Sequence, residues 1–594
     1  MSDSPDRAGG FIQELRQRHV FRVAIAYGVV AFIVLQVAEI AFPALRLPDW
    51  TVTLVVVLVI LGFPIALLLA WAFEITPEGV RRTETTTGAA RGRRGFVMGI
   101  GALAVVAIGI VVLRHSILTP ADVEAGEIRR IAVLPLSTHS EDPQQEYFSQ
   151  ALTEALTHEL AQIGALHVIS RTSASQYVQA GKRVTEIAEE LGVDAVVEGS
   201  VLITGDRVRI TAQLIHAPTD RHLWSAEYDR DLQDILALQK EVAREIASEV
   251  RAELSPQEEH LLAASGPVVP EAYREYVRGR YFWNLRRPDA IREAIEHFER
   301  AIEIDPAYAL GWSGLADCYV VPAAPFEPAT RLPRAKAAAV RALDLDSDLA
   351  EAHTTLGYAI MQYDYDWEAA GRHFERAIDL NPGYATGHQW YAEYLSAVSR
   401  MDEAVEEARK ALELDPLSEA ILWDLQRVLL FARRYDESIA VGRKAQELEA
   451  LYKGLNELYL YLALRLKGED RAALEFLMSL PPYLFESEAG PMFLERRERA
   501  RERYQNEGWT GFWAVMFEEP LDREPQHVEM LTLMGRYDDA LELADQLHRT
   551  HNLSWYVVDL AADPTLDPLR EDPRYHRLME KIGLAERSMP PARR

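Results

Sequence analysis

The stretch WEAAGRHFERAIDLNP, residues 367–382, decides how the second half of this chain folds. The same order of small, large and charged residues stands in REAIEHFERAIEIDP, which ends at Pro306, and in MDEAVEEARKALELDP, which ends at Pro416. RALDLDS, which ends at Ser347, keeps the phase without a proline. The successive ends lie 41, 35 and 34 residues apart. Recurrence at a nearly fixed period of this length predicts a helical repeat array.

A period near 34 resembles that of the tetratricopeptide repeat, in which each unit is a pair of helices. A small side chain such as Ala370 lets the second helix approach the first closely, and Phe374 takes up the remaining space. The Asn-Pro pair then ends the helix, because a residue before proline disfavours helical backbone angles. Weaker copies at 468–477 and 535–549 extend the pattern. We therefore predict an all-α solenoid of tetratricopeptide (TPR) type over residues 271–585.

A solenoid of helical pairs presents a long groove lined by the first helix of each pair, and such grooves hold extended or helical peptides. By repeat phase, five residues form the candidate peptide-binding groove: Tyr358, Gln389, Glu393, Trp423 and Arg427. Tyr358 and Trp423 fit the core between repeats equally well, so both interpretations stay open. The groove predicts a protein or peptide partner, and the acidic excess of the chain favours a basic or mixed-charge one.

Three apolar runs occupy the first fifth of the chain. RGRRGFVMGIGALAVVAIGIVVLR, residues 91–114, contains the third, and residues 96–113 within it carry no charged or strongly polar side chain. Residues 20–42 and 52–73 are the other two. Since a helix needs roughly 17 to 25 such residues to cross a bilayer, residues 20–114 predict an anchor of three transmembrane α-helices.

Arginines set the predicted orientation of this anchor. The loop between the first and second runs has only Arg46. The loop between the second and third runs carries five arginines: Arg81, Arg82, Arg91, Arg93 and Arg94. Because loops rich in Lys and Arg stay in the cytoplasm, residues 1–19 are predicted to be cytoplasmic. The remainder would then be periplasmic, at the inner membrane of a bacterium, with the lipid bilayer as a partner.

Glu39 lies inside the first apolar run. A carboxylate within a membrane is a functional hypothesis by default, and an intramembrane carrier or enzyme that uses Glu39 is one alternative. Its position about one turn from the end of the run favours an ordinary carboxylate at the interface.

Between the apolar runs and the repeats, strand and helix patterns follow each other. The predicted strands are IRRIAVLPL (128–136), LHVISRT (166–172) and three more within 193–230, and the predicted helices cover 146–163, 184–191 and about 232–254. Gly205-Asp206 predicts a hairpin turn between two of these strands. Residues 128–253 therefore predict a two-layer α/β domain.

This region resembles the TolB-like/FlgO-type N-terminal domain of bacterial envelope and signalling proteins. The motifs that carry the resemblance, in order, are IAVLPL, LTEAL, VISRTS, LGVDAVVEGSV, DRVRITAQLI and LWSAEYDRDL. The resemblance implies a non-enzymatic α/β module that takes part in envelope interactions. The β-propeller that follows this domain in TolB is absent, so TolB's own role is not transferred to this chain.

Charge excludes one class of partner. The net charge of the chain is −28, and residues 120–594 hold 52 Lys and Arg against 83 Asp and Glu, a balance of −31. A surface this acidic repels the phosphates of nucleic acid. Direct binding of DNA or RNA is therefore not expected.

Residue patterns of catalysis are missing from the sequence. It contains no phosphate-binding Gly-x-x-x-x-Gly-Lys-Ser/Thr, no His-Glu-x-x-His, no Gly-x-Ser-x-Gly and no kinase set. Cys318 is the single cysteine, and its helical, apolar context predicts a buried side chain rather than a reactive thiol. We predict no enzyme activity, no catalytic residue, no cofactor and no metal.

The fold class predicted is thus multi-domain, with transmembrane α-helices, a two-layer TolB-like α/β domain and an all-α TPR solenoid. The predicted function is a membrane-anchored protein-binding scaffold outside the cytoplasmic membrane, with a role in envelope signalling as its extension. The alternative is a regulatory accessory subunit of a cytoplasmic signalling enzyme such as a nucleotide cyclase. The sequence leaves the identity of the partner and the oligomeric state open.

Overall fold

The computed structural model divides the chain into two compact units, residues 1–126 and 127–594. It describes residues 26–32, 34, 59, 62–63, 73–76, 79–82, 128–138, 142–177, 182–263, 266–321, 327–446, 453–480, 490–516, 525, 527–554 and 556–585. The predicted domain boundaries at 128–253 and 271–585 both fall inside the second unit.

In the first unit, residues 26–32 and 34 are helical. Strands β1 (Phe73–Thr76) and β2 (Gly79–Arg82) form an antiparallel pair in which Phe73 lies opposite Arg82. Phe73 was expected to end the second membrane span, and it begins a strand instead.

The prediction of three transmembrane helices is wrong on the structural finding. Across the residues that the structure describes, no helix has both the length and the apolar character needed to cross a membrane. Most of the predicted spans 20–42 and 52–73, all of 96–113, and the N-terminal segment 1–19 lie outside the described residues. The predicted inner-membrane localisation, with the rest of the chain periplasmic, depended on those crossings and is corrected with them.

The second unit begins with a five-stranded sheet, here named the sheet unit (residues 128–249). Its elements are β3 (Arg130–Val133), α1 (Pro143–Ala161), β4 (His167–Ile169), α2 (Arg171–Ser175), α3 (Val184–Leu191), β5 (Ala195–Thr204), β6 (Arg207–His216), β7 (Arg221–Asp231) and α4 (Ile235–Glu249). The strand order is β4-β3-β5-β6-β7. β3 is parallel to β4 and β5, and β5, β6 and β7 are antiparallel.

Alternation of side chains explains how the sheet is covered. Ile131 and Val133 of β3 join the core beneath α1 and α4, whereas Ala132 between them joins a second core with Ile187 of α3. Successive strand residues point to opposite faces, so both faces of this sheet are buried by helices. The arrangement differs from the predicted two layers. The predicted hairpin turn is present, with Gly205 at φ +60° between β5 and β6.

The helical array follows the sheet unit. After the short helix α5 (Pro256–Leu261) come α6 (Pro270–Asn284), α7 (Pro288–Ile304), α8 (Ala309–Val320), α9 (Pro328–Leu345), α10 (Ala350–Ala359), α11 (Trp367–Leu380), α12 (Ala385–Ala397), α13 (Met401–Leu414), α14 (Glu419–Phe431) and α15 (Tyr435–Gln446). The remaining helices are α16 (Lys453–Leu466), α17 (Asp470–Ser479), α18 (Gly490–Met516), α19 (His527–Leu533), α20 (Tyr537–Arg549), α21 (Tyr556–Ala562) and α22 (Pro573–Lys581).

Helix ends follow the repeat that the sequence shows. The second helices α7, α9, α11 and α13 each end two residues before the end of a sequence repeat, so that α11 stops at Leu380 before Pro382. Asn381, between them, has left the helical region (φ −142°, ψ 87°), as the residue before a proline does. α6 packs on α7, α8 on α9, α10 on α11 and α12 on α13. The prediction of an array of paired helices is confirmed by these contacts.

Phe298 shows how tightly the pairs pack. Its ring is fully buried between Gly279 of α6 and Gly314 of α8. A Cβ built on Gly314 would lie 2.5 Å from the ring, and one on Gly279 would lie 2.7 Å from it. Glycine at both positions is required because any side chain would overlap the ring.

Gly314→Ala is expected to destabilise the protein by about 1–2 kcal/mol, since the overpacking cost exceeds the helix propensity gained by removing glycine. Urea denaturation followed by circular dichroism measures the change. Gly266→Ala is the matched control, because a Cβ there meets no atom within 4 Å. Equal midpoints for the two variants would contradict the packing argument.

A cavity between the sheet unit and the helical array

Helix α1 packs on two surfaces at once. Leu152, Leu156 and Leu160 belong to the core of the sheet unit. The opposite face of α1 contacts the helical array along its length. Its contacts are Tyr147 with Tyr281 (ring centroids 4.5 Å apart), Glu154 with Arg280, His158 with Glu351 (2.6 Å) and the Ala161 carbonyl with the Gly383 amide (3.0 Å). Positions 147, 154, 158 and 161 share one helix face, so α1 lies across α6, α10 and the turn before α12.

The far end of the sheet unit is attached by hydrogen bonds to the turn after α13. The Ser170 amide donates to the Leu414 carbonyl at 2.7 Å, and the Ser173 hydroxyl donates to Asp415 at 2.5 Å. The Leu417 amide donates in turn to the Ser173 hydroxyl at 2.9 Å. Burial raises the pKa of Asp415 to about 6, against the hydrogen bonds from the serines. This junction is mainly polar.

A cavity of about 1970 Å³ lies between the two junctions. One wall is formed by α1 and α4 of the sheet unit, and the other by the first helices of successive pairs, α8, α10, α12 and α14. The predicted groove of the helical array therefore faces the sheet unit of the same chain. The cavity is the candidate functional site.

A first group of charged side chains lies where α1 meets α6 and α8. Arg280 pairs with Glu154, and it donates to Asp317 at 3.2 Å. Asn284 donates to Glu154 at 2.9 Å, and Thr355 donates to Asp317 at 2.6 Å. Burial raises the pKa of Asp317 to about 6, while the Arg280 charge opposes the rise. The set holds one guanidinium between two carboxylates from different parts of the chain.

His158 forms the next contact along α1. Burial disfavours the charged ring, but the Glu351 carboxylate 2.6 Å away outweighs it and raises the pKa of His158 to about 9. The ring is therefore protonated at neutral pH, and the contact is an ion pair. It couples the sheet unit to α10.

All five predicted groove residues lie on the wall of the cavity: Tyr358, Gln389, Glu393, Trp423 and Arg427. Together with Asp424, they form one network of contacts. The Arg427 guanidinium is 2.8 Å from Glu393 and 3.1 Å from Asp424, and Tyr358 donates to Glu393 at 3.2 Å. Gln389 donates to Asp424, and the Trp423 ring centroid lies 4.9 Å from the guanidinium carbon.

Burial separates these five residues into two groups. Tyr358, Glu393 and Arg427 are buried, and Arg427 is only 1% exposed. Gln389 and Trp423 are half-buried at the cavity surface. The part of the groove prediction that concerns partner binding is not tested by these contacts and stays a prediction.

Sequence reasoning missed two carboxylates of this cluster, Asp424 and Asp559. Asp559 of α21 accepts from Arg427 at 3.0 Å although 132 residues separate them. Arg427, Glu393, Asp424 and Asp559 together are named the Arg427 cluster. Burial raises the pKa of Asp559 to about 8, and burial together with Glu393 raises the pKa of Asp424 to about 7. Only the return of the late helix α21 onto α12 creates this contact.

Two kinds of chemistry, metal binding and thiol reactivity, find little support among the described residues. Within those ranges, no set of three or more His, Cys, Asp or Glu side chains could hold a metal ion. Cys318 is buried, and burial raises the pKa of its thiol well above the usual value, so the reactive thiolate is disfavoured.

Known proteins resemble parts of this chain. Residues 127–245, which span the sheet unit as far as α4, match a family model described as HilA/YgeH-like transcriptional regulator, second domain. The chain is 36% identical over 236 residues to a protein of Rhizobium meliloti (strain 1021) named putative adenylate cyclase 3. That match takes in 39% of this chain and 40% of the relative, so the chain spans about two fifths of the curated relative's length. The TolB-like resemblance is not supported by these matches.

Solved structures provide partial matches. A thermophilic TPR protein of Thermus thermophilus is 22% identical with a TM-score of 0.28, and the match covers 33% of this chain and 99% of that one. PilW, a type IV pilus biogenesis factor, is 16% identical with a TM-score of 0.31, covering 38% of this chain and 100% of that one.

Arg427→Ala is expected to destabilise the protein by about 3–5 kcal/mol, because three buried carboxylates lose their guanidinium partner. Urea denaturation measures the loss. Arg409→Ala, which removes an exposed pair with Glu437, is the control and should cost less than about 1 kcal/mol. Adding Glu393→Gln to the Arg427→Ala variant should restore part of the stability. If both single variants lose the same stability, the Arg427 cluster is not the buried ionic centre described.

His158 is expected to make stability depend on alkaline pH. The pKa of its ring is raised by folding, so its contribution is fully present below about pH 6.5 and is lost as the pH rises through about 9. The difference in unfolding midpoint between wild type and His158→Asn should therefore shrink between pH 7 and pH 10. His222→Asn on the exposed end of β7 is the control and should match wild type at both pH values. A difference that stays constant would show that the ion pair adds nothing.

Proposed function

We propose that this protein is a protein-binding scaffold that holds a peptide segment of a partner in the cavity between the sheet unit and the helical array. The observation that carries the proposal is the cavity itself, which is lined by the sheet unit on one side and by the first helices of the array on the other. No catalytic role is assigned to any residue. The confirmed array of helical pairs supports the broader class of function, a scaffold for protein interaction.

Cavity size favours a peptide over a small molecule. Small-molecule sites typically enclose about 300–1,000 Å³, and this cavity has about 1970 Å³. An extended peptide segment can fill a space of this size, and its backbone offers both N–H donors and C=O acceptors to the polar residues that line the two walls.

Charge on the wall indicates the chemistry of the segment. Carboxylates outnumber lysine and arginine side chains by twelve to five among the lining residues. Complementary charge steers association and rejects partners of like charge. A segment with basic side chains fits this wall, and the many tyrosine and tryptophan rings around it can stack on such side chains.

Gln389 and Trp423 are the predicted groove residues best placed to touch the segment, because both are half-buried and line the cavity. Tyr358, Glu393 and Arg427 would hold these two in position through the hydrogen bonds of the Arg427 cluster. The candidate groove is thus proposed as one part of a larger site.

The alternative of a regulatory accessory to a nucleotide cyclase has one supporting observation. The relative named putative adenylate cyclase 3 is similar over 236 residues, which is longer than the 126-residue first unit. The similarity therefore extends into the unit that holds the cavity. In this second proposal the partner whose segment enters the cavity is a cyclase.

Photoreactive residues at positions 389 and 423 are expected to crosslink to a partner protein in cells, because both positions face the cavity. The control is a photoreactive residue at the exposed position 537 on α20, which is remote from the cavity lining. The captured protein is identified by mass spectrometry, and a nucleotide cyclase among the products would favour the second proposal. Capture at 537 but not at 389 or 423 would contradict the binding site.

A further inference from the structure

The Arg427 cluster holds more carboxylates than its one guanidinium can balance. Arg427 contacts Glu393 of α12 at 2.8 Å, Asp424 of α14 at 3.1 Å and Asp559 of α21 at 3.0 Å. Each of these four side chains is at most 4% exposed. A guanidinium has five N–H donors and can reach all three carboxylates, but its single charge neutralises only one of them. Two carboxylates of the cluster are therefore in excess.

Two more buried acidic side chains lie beside Asp559. Asp563 follows it by four residues, and Glu529 comes from α19. Both are buried, and the charges of Asp559 and Asp563 act on Glu529. The excess of acidic groups thus continues from the Arg427 cluster into the helices that follow it.

The cations near these added carboxylates act on them and not on Asp559. Among the described residues, Arg465 of α16 acts on Glu529, and Arg570 acts on Asp563. The Tyr459 phenol of α16 is the remaining titratable group beside them, and burial raises its pKa well above the usual value, so it stays neutral. Asp559 depends on Arg427, which it shares with two other carboxylates.

Buried carboxylates in excess are costly when ionised, because each loses its hydration and repels the others. A bound proton removes both penalties. We infer that the docking of α21 on α12 and α14 is a proton-dependent latch, which is closed while Asp559 holds a proton and opens when Asp559 ionises. The latch does not depend on peptide binding in the cavity.

The direction of the pH dependence follows from Asp559. Burial raises the pKa of Asp559 to about 8, and Asp563 and Glu393 add to the rise that Arg427 opposes. Once α21 is released, the carboxyl returns to its ordinary pKa of about 4. Between these values the docked state holds a proton that the released state lacks. Docking is therefore favoured at low pH and is lost as the pH rises through about 8.

Neighbouring parts of the C-terminal segment have attachments that use no carboxylate. Before α21, Ser554 accepts from Arg331 at 3.0 Å. After α21, Trp367 Nε1 donates to the Ile582 carbonyl at 2.6 Å. Because these bonds do not depend on an acidic group, the opening is expected at α21.

Hydrogen–deuterium exchange of peptides from α21, measured by mass spectrometry on the full chain at pH 6, 7, 8 and 9, tests the latch. Asp559→Asn keeps an oxygen for Arg427 and does not ionise, so α21 should stay docked in this variant at each pH. Intrinsic exchange rates are the same in both proteins away from residue 559. The ratio of wild-type to variant exchange rates should rise about tenfold per pH unit up to about pH 8 and then level off, as linkage to one proton requires.

Two controls accompany this measurement. Asp402→Asn changes an exposed carboxylate on α13 and should leave exchange at α21 equal to that of wild type. Peptides from α7 should give a ratio near one at each pH. A flat ratio at α21 would overturn the latch. An equal rise at α7 would also overturn it, because the proton would then act on the stability of the whole unit.

A second variant keeps the test valid if Asp559→Asn lacks the circular dichroism of the wild type. Asp424→Asn removes a carboxylate charge from the same cluster without changing α21. The ratio at α21 should then rise with pH in the same direction. Absence of that rise in a folded Asp424→Asn variant would overturn the latch as well.

Discussion

The second unit depends on helix α1 being packed on both sides. One face of α1 supplies leucines to the core of the sheet unit, and the opposite face supplies an aromatic ring, two ion pairs and a backbone hydrogen bond to the helical array. A surface helix normally buries one stripe only. Because α1 buries two, the sheet unit is held against the first helices of the array, and the cavity is the space that remains between them.

Much of the second unit could be predicted from the sequence. The repeat ending at Pro382 predicted both the pairing of helices and the residue at which each second helix stops, since packing period and the restriction before proline are local properties. The strands around Gly205 were predicted for the same reason. The docking of α1 on the array was not predicted, because Glu154 and His158 look like ordinary exposed residues until Arg280 and Glu351 are brought to them. Asp559 was missed for the same reason, since its partner Arg427 lies 132 residues away.

The predicted membrane anchor shows the limit of composition as evidence. Uncharged runs predicted spans, yet Phe73, at the end of one run, starts a strand paired with Arg82. Length and hydropathy describe a segment's preference for an apolar environment, and they do not fix which backbone conformation it adopts there. The groove prediction meets a related limit. The five residues selected by repeat phase lie on the first helices α10, α12 and α14. The repeat phase could not show that three of the five are bound to each other and buried.

Two of the hydrogen bonds that join the sheet unit to the turns after α11 and α13 link backbone to backbone and have a mechanical consequence. Those turns, at Gly383 and Leu414, belong to consecutive repeats, and both form hydrogen bonds with the backbone of the sheet unit. In an ordinary solenoid each repeat packs only on its neighbours, so the curvature of the array is set by the rotation between adjacent repeats. Here the sheet unit is bonded to two consecutive repeats and so restricts the angle between them. When the array is stretched, the repeats that the sheet unit does not contact separate first.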